Sequence, residues 1–167
     1  MNIAVRFANK MDAEEITKIF NYYVTHSIST FDLEPRSVED RRSWILAHDP
    51  DTRCKLLVAV DTENSLLTGY ASTSPFRPQA AYNTSVEASI YVLPEYRGKG
   101  IGQLLYEHLF ALLSDTDVHR VYACLSVPNL SSFKLHQKFG FNLVGTFSEA
   151  GYKHKAFHDI QWLEKKL

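Results

Sequence analysis

Between Ser85 and Gln103 the chain passes from a strand through a glycine-bearing loop into a helix, and this stretch restricts the possible folds more than any other. Val86, Ala88, Ile90 and Val92 alternate with Ser85, Glu87, Ser89 and Tyr91. The first set packs on a core, and the second puts a carboxylate, hydroxyls and a phenol on the open face. Pro94 ends the strand, having no N–H to give to a ladder. Gly98, Gly100 and Gly102 keep side chains off the backbone, so that their N–H groups can approach an anion closely. A helix predicted from Ile101 to about Leu113 adds the positive end of its dipole at the same place. Arg97 and Lys99 add formal charge, and Ile101, Leu104, Leu105, Leu109 and Leu112 recur at the spacing of a helix packed on a sheet. The combination is a site for a pyrophosphate. It is not a Walker A loop, which needs G-x-x-x-x-G-K-[ST]. Nor is it the dinucleotide fingerprint, whose third glycine would stand where this chain has Gln103.

The remaining numbers narrow the class. A chain of 167 residues is enough for one domain with a full core, and a single domain over 1–167 is expected. A net charge of −1 offers no broad basic surface and argues against nucleic acid as the main partner. No apolar run approaches membrane-spanning length, and Met1-Asn-Ile-Ala-Val-Arg6 is not a signal peptide. Cys54 and Cys124 lie in apolar runs and read as buried, reduced thiols of a cytosolic protein. Of the seven histidines only His154 and His158 have a metal-like spacing, and their loop-forming neighbours argue against zinc, so no metal is expected.

Taken in order, the sequence predicts a strand over Ile3 to Phe7 and a near capping box at Asp12 and Glu15. An amphipathic helix follows to about His26, carrying Ile16, Ile19, Phe20, Tyr23 and Val24. Phe31 sits in a polar segment, where it either plugs the edge of the core or covers a substrate. Ser37 caps a second helix with Val38, Trp44 and Ile45 on one side. Lys55–Val60 and Leu66–Ser74 form an antiparallel hairpin about the turn at residues 61–65. Phe76 to Tyr82 is an irregular link, in which Arg77 beside two aromatics suits anion recognition. After the glycine-loop helix come a strand over Val118–Val127, a helix over Asn129–Phe139 stopped by Gly140, and a strand over Phe141–Phe147. A loop over residues 149–157 and a strand over His158–Leu163 close the chain. The order gives an α+β fold, a mixed α/β sandwich with helices on both faces of one sheet.

Arg97-Gly-Lys-Gly-Ile-Gly102 resembles the R/Q-x-x-G-x-G/A loop of the GNAT acetyltransferase superfamily, which binds the pyrophosphate of acetyl-CoA. Asn129-Leu-Ser-Ser132-Phe-Lys-Leu-His136-Gln-Lys138-Phe-Gly140-Phe141 resembles the same superfamily's N-x-x-[SA]-x-x-L-[YH]-x-x-x-G-[FY] segment. Three further pieces are similar to its phosphinothricin and methionine sulfoximine N-acetyltransferase group. They are the Ser85–Val92 strand, the Phe76–Tyr82 link and the Ala150–Asp159 closing segment. The resemblance runs from about Ile3 to the C-terminus. Gln79 departs from it, standing where several members carry arginine, and this puts strong binding of a phosphinate or second carboxylate in question. Lys155-Ala156 replaces small glycines.

The resemblance implies a splayed, mostly antiparallel sheet of about seven strands and acetyl transfer from acetyl-CoA to a primary amine. Glu87 would be the general base, directly or through water. The Val92 N–H would polarise the thioester carbonyl, and His136, which is tyrosine in many members, would protonate the departing thiolate. Coenzyme contacts would come from Ile90, Tyr91, Val92, Arg97, Gly98, Lys99, Gly100, Ile101, Gly102, Gln103, Asn129, Ser132 and Lys138. Phe31, Arg77, Gln79, Tyr82, Glu87 and Ser89 would line the acceptor pocket. The acceptor would be a small amino-acid-like amine, with no nucleic acid or membrane partner, and dimers are usual in the group. Two alternatives stand beside it. One is a protein N-terminal or polyamine acetyltransferase, and the other is a non-catalytic acyl-CoA-binding module.

Overall fold

Apolar residues recur with period two in some segments and period 3.6 in others. In the structure, a computed structural model that describes residues 2–167, they form seven strands and four α-helices. The order is β1 (Ile3–Phe7), α1 (Ala13–His26), α2 (Val38–Leu46), β2 (Leu56–Asp61), β3 (Leu66–Pro75) and β4 (Ser85–Val92). Then come α3 (Ile101–Leu113), β5 (Arg120–Ser126), α4 (Leu130–Lys138), β6 (Asn142–Lys153) and β7 (Ala156–Lys166). The strands build one sheet in the order β1-β2-β3-β4-β5-β7-β6. Among the described residues every neighbouring pair is antiparallel except β4 and β5. One face of the sheet is covered by α3, with Leu105, Leu109 and Leu113 fully buried, and the other by α1 and α2, with Ile16, Ile19 and Ile45 at its core.

α3 starts without a side-chain cap, at Gly100 in the left-handed conformation. Glycine in place of a good cap costs only a few tenths of a kcal/mol. Ile101, Leu105, Leu109 and Leu113 are each at most 2% exposed. Burying each of them stabilises by about 1.5–3 kcal/mol. The helix therefore forms on its packing, and its first N–H groups are left open.

β4 and β5 are paired only from Ser85–Glu87 to Arg120–Tyr122, and beyond that they part. Along β4 the Leu93 N–H donates to the Thr68 carbonyl at 2.8 Å across the ladder with β3. Antiparallel ladders alternate, so Tyr91 and Ser89 also turn their main chain to β3, whereas Ile90 and Val92 turn theirs into the gap.

Three expectations need correction. The first cap is Asn9 with Asp12, a reciprocal capping box on a 3-10 turn, and not Asp12 with Glu15. Asp12 is held there by a two-pronged ion pair with Arg6, at 2.7 and 2.8 Å. Residues 149–157 are not a loop. β6 and β7 run on as a long hairpin closed at His154 and Lys155, with φ of 52° and 64°, the paired left-handed conformation of a tight hairpin turn. The cysteines are not fully buried either. Cys54 is half-buried, and Cys124 faces outward from β5 beside the gap. Burial and the nearby Glu87 charge push the Cys124 thiol up to about 11, so it stays protonated at neutral pH.

The hairpin holds down the segment before α2. Lys153, 3% exposed, donates to the Thr30 carbonyl at 2.7 Å. A Cβ on Gly151 would fall 2.3 Å from the Phe31 ring, so glycine is what allows Phe31 its seat against the hairpin.

Candidate active site

Where β4 and β5 part, a groove of about 550 Å³ opens between the end of β4, the start of α3 and the start of α4. Gly98 and Gly100 hold φ of 73° and 83°, and a Cβ on either would meet nothing within 4 Å. Both leave open space over the loop, with the amides at the start of α3 beside it. Gly102 has another reason to be glycine. A Cβ there would stand 3.1 Å from Leu135 Cδ2 and 3.5 Å from Ile90 Cδ1, so it lets α3 lie close to α4 and β4.

Arg97 is exposed, but it does not hang free. Its guanidinium carbon lies 5.0 Å from the centre of the Tyr23 ring, and its Nε donates to the Tyr23 hydroxyl at 3.3 Å. That hydroxyl donates to the Val92 carbonyl at 2.6 Å. Tyr23 thus ties the end of β4 to the loop arginine. The sequence offered it only as an apolar face of α1, because its period is the same whether or not its oxygen is used. Lys99 sits over the Tyr96 ring at 4.7 Å and, unlike Tyr96, does not line the groove.

At the far side Asn129 caps α4, its side chain accepting from the Ser132 N–H at 3.3 Å, and both line the groove. Gln103 lines it as well, and accepts from Lys138 while donating to Glu107 at 2.7 Å. Lys138 itself stands outside the groove, engaged with Gln103. Tyr91 contributes its main chain, since its ring is packed edge-on against Phe20 and Tyr23 on the α1 side, and burial pushes its phenol up to about 12.

Glu87 stands at the last paired register, opposite Tyr122 on β5 and Ser74 on β3. It is half-buried, and burial raises its carboxyl above the ordinary value while the charge of Arg77 lowers it in part. Ser89 shares its face of β4, one step nearer the groove. Arg77 lies flat on Phe76, 4.3 Å from the ring centre, and Phe76 stacks on Tyr122 at 4.2 Å. Gln79 and Tyr82 are exposed on the link and line neither this groove nor the cavity beside it. Phe31 also lines neither, since its ring is turned to Gly151 and His158.

His136 differs most from expectation. It is 2% exposed, at the back of the groove. Nδ1 is 2.8 Å from the Ser132 carbonyl, which can only accept, so the ring proton sits there. Nε2 then accepts from the Tyr106 hydroxyl at 2.9 Å. Burial lowers its pKa, so at neutral pH the ring is uncharged and its one proton is committed to a carbonyl. Direct donation to a leaving sulfur is not what this arrangement offers. His136 instead fixes Tyr106 and the first turns of α4.

His154 and His158 each face a backbone carbonyl, of Ser27 and Lys153 respectively. Among the described residues no three His, Cys, Asp or Glu side chains converge to hold a metal ion, and no helix is long and apolar enough to cross a membrane.

The site as a whole is a groove with the glycine loop, the start of α3 and Arg97 along it, and a carboxyl of raised affinity for protons just beyond its wall at Ala88. It suits a long ligand with a diphosphate at its tail. A phosphinothricin N-acetyltransferase of Streptomyces coelicolor is 44% identical over 165 residues, 99% of this chain and 96% of that protein. A methionine sulfoximine/methionine sulfone acetyltransferase of Salmonella typhimurium is 30% identical over 99% of this chain and 95% of that one. The crystal structure of a phosphinothricin acetyltransferase from Sinorhizobium meliloti in complex with AcCoA superposes with a TM-score of 0.92 at 31% identity, covering 100% of this chain and 89% of that one. A model of the Acetyltransferase (GNAT) family matches residues 15–141, and with relatives this similar along their length the chain belongs to that family and is an acetyl-CoA-dependent N-acetyltransferase.

Proposed function

We propose that the acceptor is a small amino acid bearing an acidic or strongly dipolar side chain, of the phosphinothricin and methionine sulfoximine type, and that Glu87 takes the proton from its amine. The observation that carries this is the setting of Glu87: a half-buried carboxyl of raised pKa, one residue short of the groove wall. That offset favours a water between carboxylate and amine, and a base with a raised pKa holds a proton better than a solvated glutamate would. Acetyl-CoA supplies an acyl group on a thiol leaving group. The Arg97, Gly98, Gly100 and α3 donors hold its diphosphate, and the Val92 N–H, turned into the gap, polarises the thioester carbonyl. The amine loses a proton to Glu87, a C–N bond forms and the C–S bond breaks. The thiolate leaves into an open groove and takes its proton from water, with His136 keeping α4 in place.

A panel of amines with acetyl-CoA, read by release of free thiol, tests this. Amino acids with oxygen-rich side chains are expected to turn over fastest. Preference for polyamines or peptide N-termini, or no release with any amino acid, would overturn the assignment. In the same panel Arg77→Ala is expected to raise KM for amino acids by about tenfold, the worth of one charge-assisted contact. The effect on simple amines lacking a carboxylate should be smaller, and equal shifts would remove Arg77 from anion recognition.

The protein is further proposed to be a cytosolic homodimer. β6 is an edge strand, and the hairpin exposes Phe147, Tyr152 and Phe157 at 57–63%. Sedimentation is expected to give a dimer, and a monomer at micromolar concentration would refute it.

A further inference from the structure

Arg41 lies on α2, 7% exposed, between Phe20 and Trp44, with its guanidinium carbon 4.2 and 4.6 Å from the two ring centres. Among the described residues no carboxylate lies within ion-pair distance of it. Its Nε is buried without a hydrogen-bond partner. Aromatic faces return only part of what a guanidinium loses on leaving water, and they leave its in-plane donors unused. A buried donor without a partner calls for an explanation, and one explanation is a partner that arrives with a ligand.

Arg41 faces a cavity of about 370 Å³ between α1, α2 and the β3–β4 face, where the sheet contributes Ser72, Ser74 and Ser89. Asp32, Asp40 and Arg36 also line this cavity. Asp32 accepts from Arg36 Nε at 2.8 Å, and Asp40 accepts from the Ser37 hydroxyl at 2.7 Å and its N–H at 3.4 Å. Asp40 keeps its charge and feels that of Arg41 at longer range, so the lining is balanced overall, but among its described cations Arg36 is paired and Arg41 has no carboxylate within ion-pair distance. The cavity shares Ser89 and Tyr91 with the large groove and reaches Ser74, the β3 partner of Glu87. From the Ser74–Glu87 register to the Ser72–Ser89 register is two residues, or roughly 7 Å. That is about the reach from the amine of an amino acid to a group at the end of a four-atom side chain.

We infer that this cavity receives the far end of the acceptor, and that Arg41 is a specificity-determining residue donating to a terminal sulfonyl, phosphinyl or carboxylate oxygen. The guanidinium supplies inside the cavity the charge that Gln79 does not supply on the link. The role of Arg41 rests on the acceptor class proposed above. Three acceptors differing only in their terminal sulfur group separate the two: L-homocysteate, L-methionine sulfone and L-methionine, each assayed with acetyl-CoA for wild type, Arg41→Met and Arg41→Lys. The wild type is expected to favour the two oxidised acceptors. Arg41→Met is expected to lower kcat/KM for them at least tenfold more than for methionine, with the loss in KM. Arg41→Lys, which keeps the charge but loses the planar fork, should fall between, and it carries the test if a thermal melt shows that Arg41→Met does not fold. Equal loss on all three acceptors, or a wild type indifferent to the terminal group, overturns the role of Arg41 while leaving amino-acid acetylation standing. No thiol release with any of them in the wild type overturns both.

Discussion

Glu87→Gln lowers turnover of an amino-acid acceptor by about 10² to 10⁴-fold at neutral pH, the usual worth of a positioned base. Coenzyme affinity is expected to stay near that of the wild type, because Glu87 lies outside the groove and the glycine loop proposed to hold the diphosphate is on the far side of Val92 from it. The pH profile gives a second handle. Burial favours the protonated carboxyl, so the active fraction is lost, as pH falls, at a higher pH than for a solvated glutamate. That acid limb in kcat/KM should vanish from the residual rate of the variant. Stability moves the opposite way. The folded pKa is raised, so the favourable contribution of the neutral form is fully present below the unfolded value of ~4.3 and is lost as pH rises through the folded value. At neutral pH the wild type carries the cost of a half-buried charge that glutamine lacks. The variant should therefore melt higher than wild type at pH 7, with the gap closing below about pH 4. A slower enzyme that is also more stable cannot be explained as a misfolded one. Turnover equal to wild type would remove Glu87 from the chemistry.

The block from Glu87 to Gly102 was readable because backbone requirements write themselves into sequence. Alternation, a proline stop and glycines at left-handed φ all leave residue types that few other settings need. Tyr23 and Arg41 were not readable in this way. Both sit on helix faces whose periodicity records burial alone, and neither the Tyr23 hydroxyl on Val92 nor the unpartnered Arg41 guanidinium has a spacing of its own. The hairpin turn at His154–Lys155 was hidden for a related reason. Two non-glycine residues take the left-handed conformation there, and Phe31 locked against Gly151 and Lys153 bonded to Thr30 couple that region to the segment before α2. Those contacts are tertiary. His136 matched a motif by register, but its chemistry depends on Tyr106 and Ser132 fixing its tautomer, a fact about neighbours in space.

Gly100→Val raises the dissociation constant of the coenzyme by about 10²-fold or more in a calorimetric titration, on the following arithmetic. Gly100 has φ 83° and ψ −1°, and a branched side chain held there costs about 1–2 kcal/mol. The chain relieves that cost by rotating toward negative φ, which turns the amides at the start of α3 away from the diphosphate. Each charge-assisted bond lost is worth about 1.5–3 kcal/mol, and 1.4 kcal/mol is tenfold in affinity. Two lost bonds therefore exceed the strain itself, and they decide the outcome. The fold should survive, because α3 is anchored by Ile101, Leu105, Leu109 and Leu113 and a Cβ at Gly100 meets no protein atom within 4 Å. A melt near that of wild type with binding lost is the expected pair. Gly100→Asn separates conformation from bulk, since asparagine tolerates the left-handed region. If φ is what matters, it keeps most of the affinity, and if it binds as poorly as valine, the open space itself is what the diphosphate needs. Gly102→Ala should bind nearly as wild type, with Leu135 giving way by a few tenths of an ångström, because its backbone is ordinary helix. Undiminished coenzyme binding by Gly100→Val would mean that the diphosphate sits somewhere other than this loop.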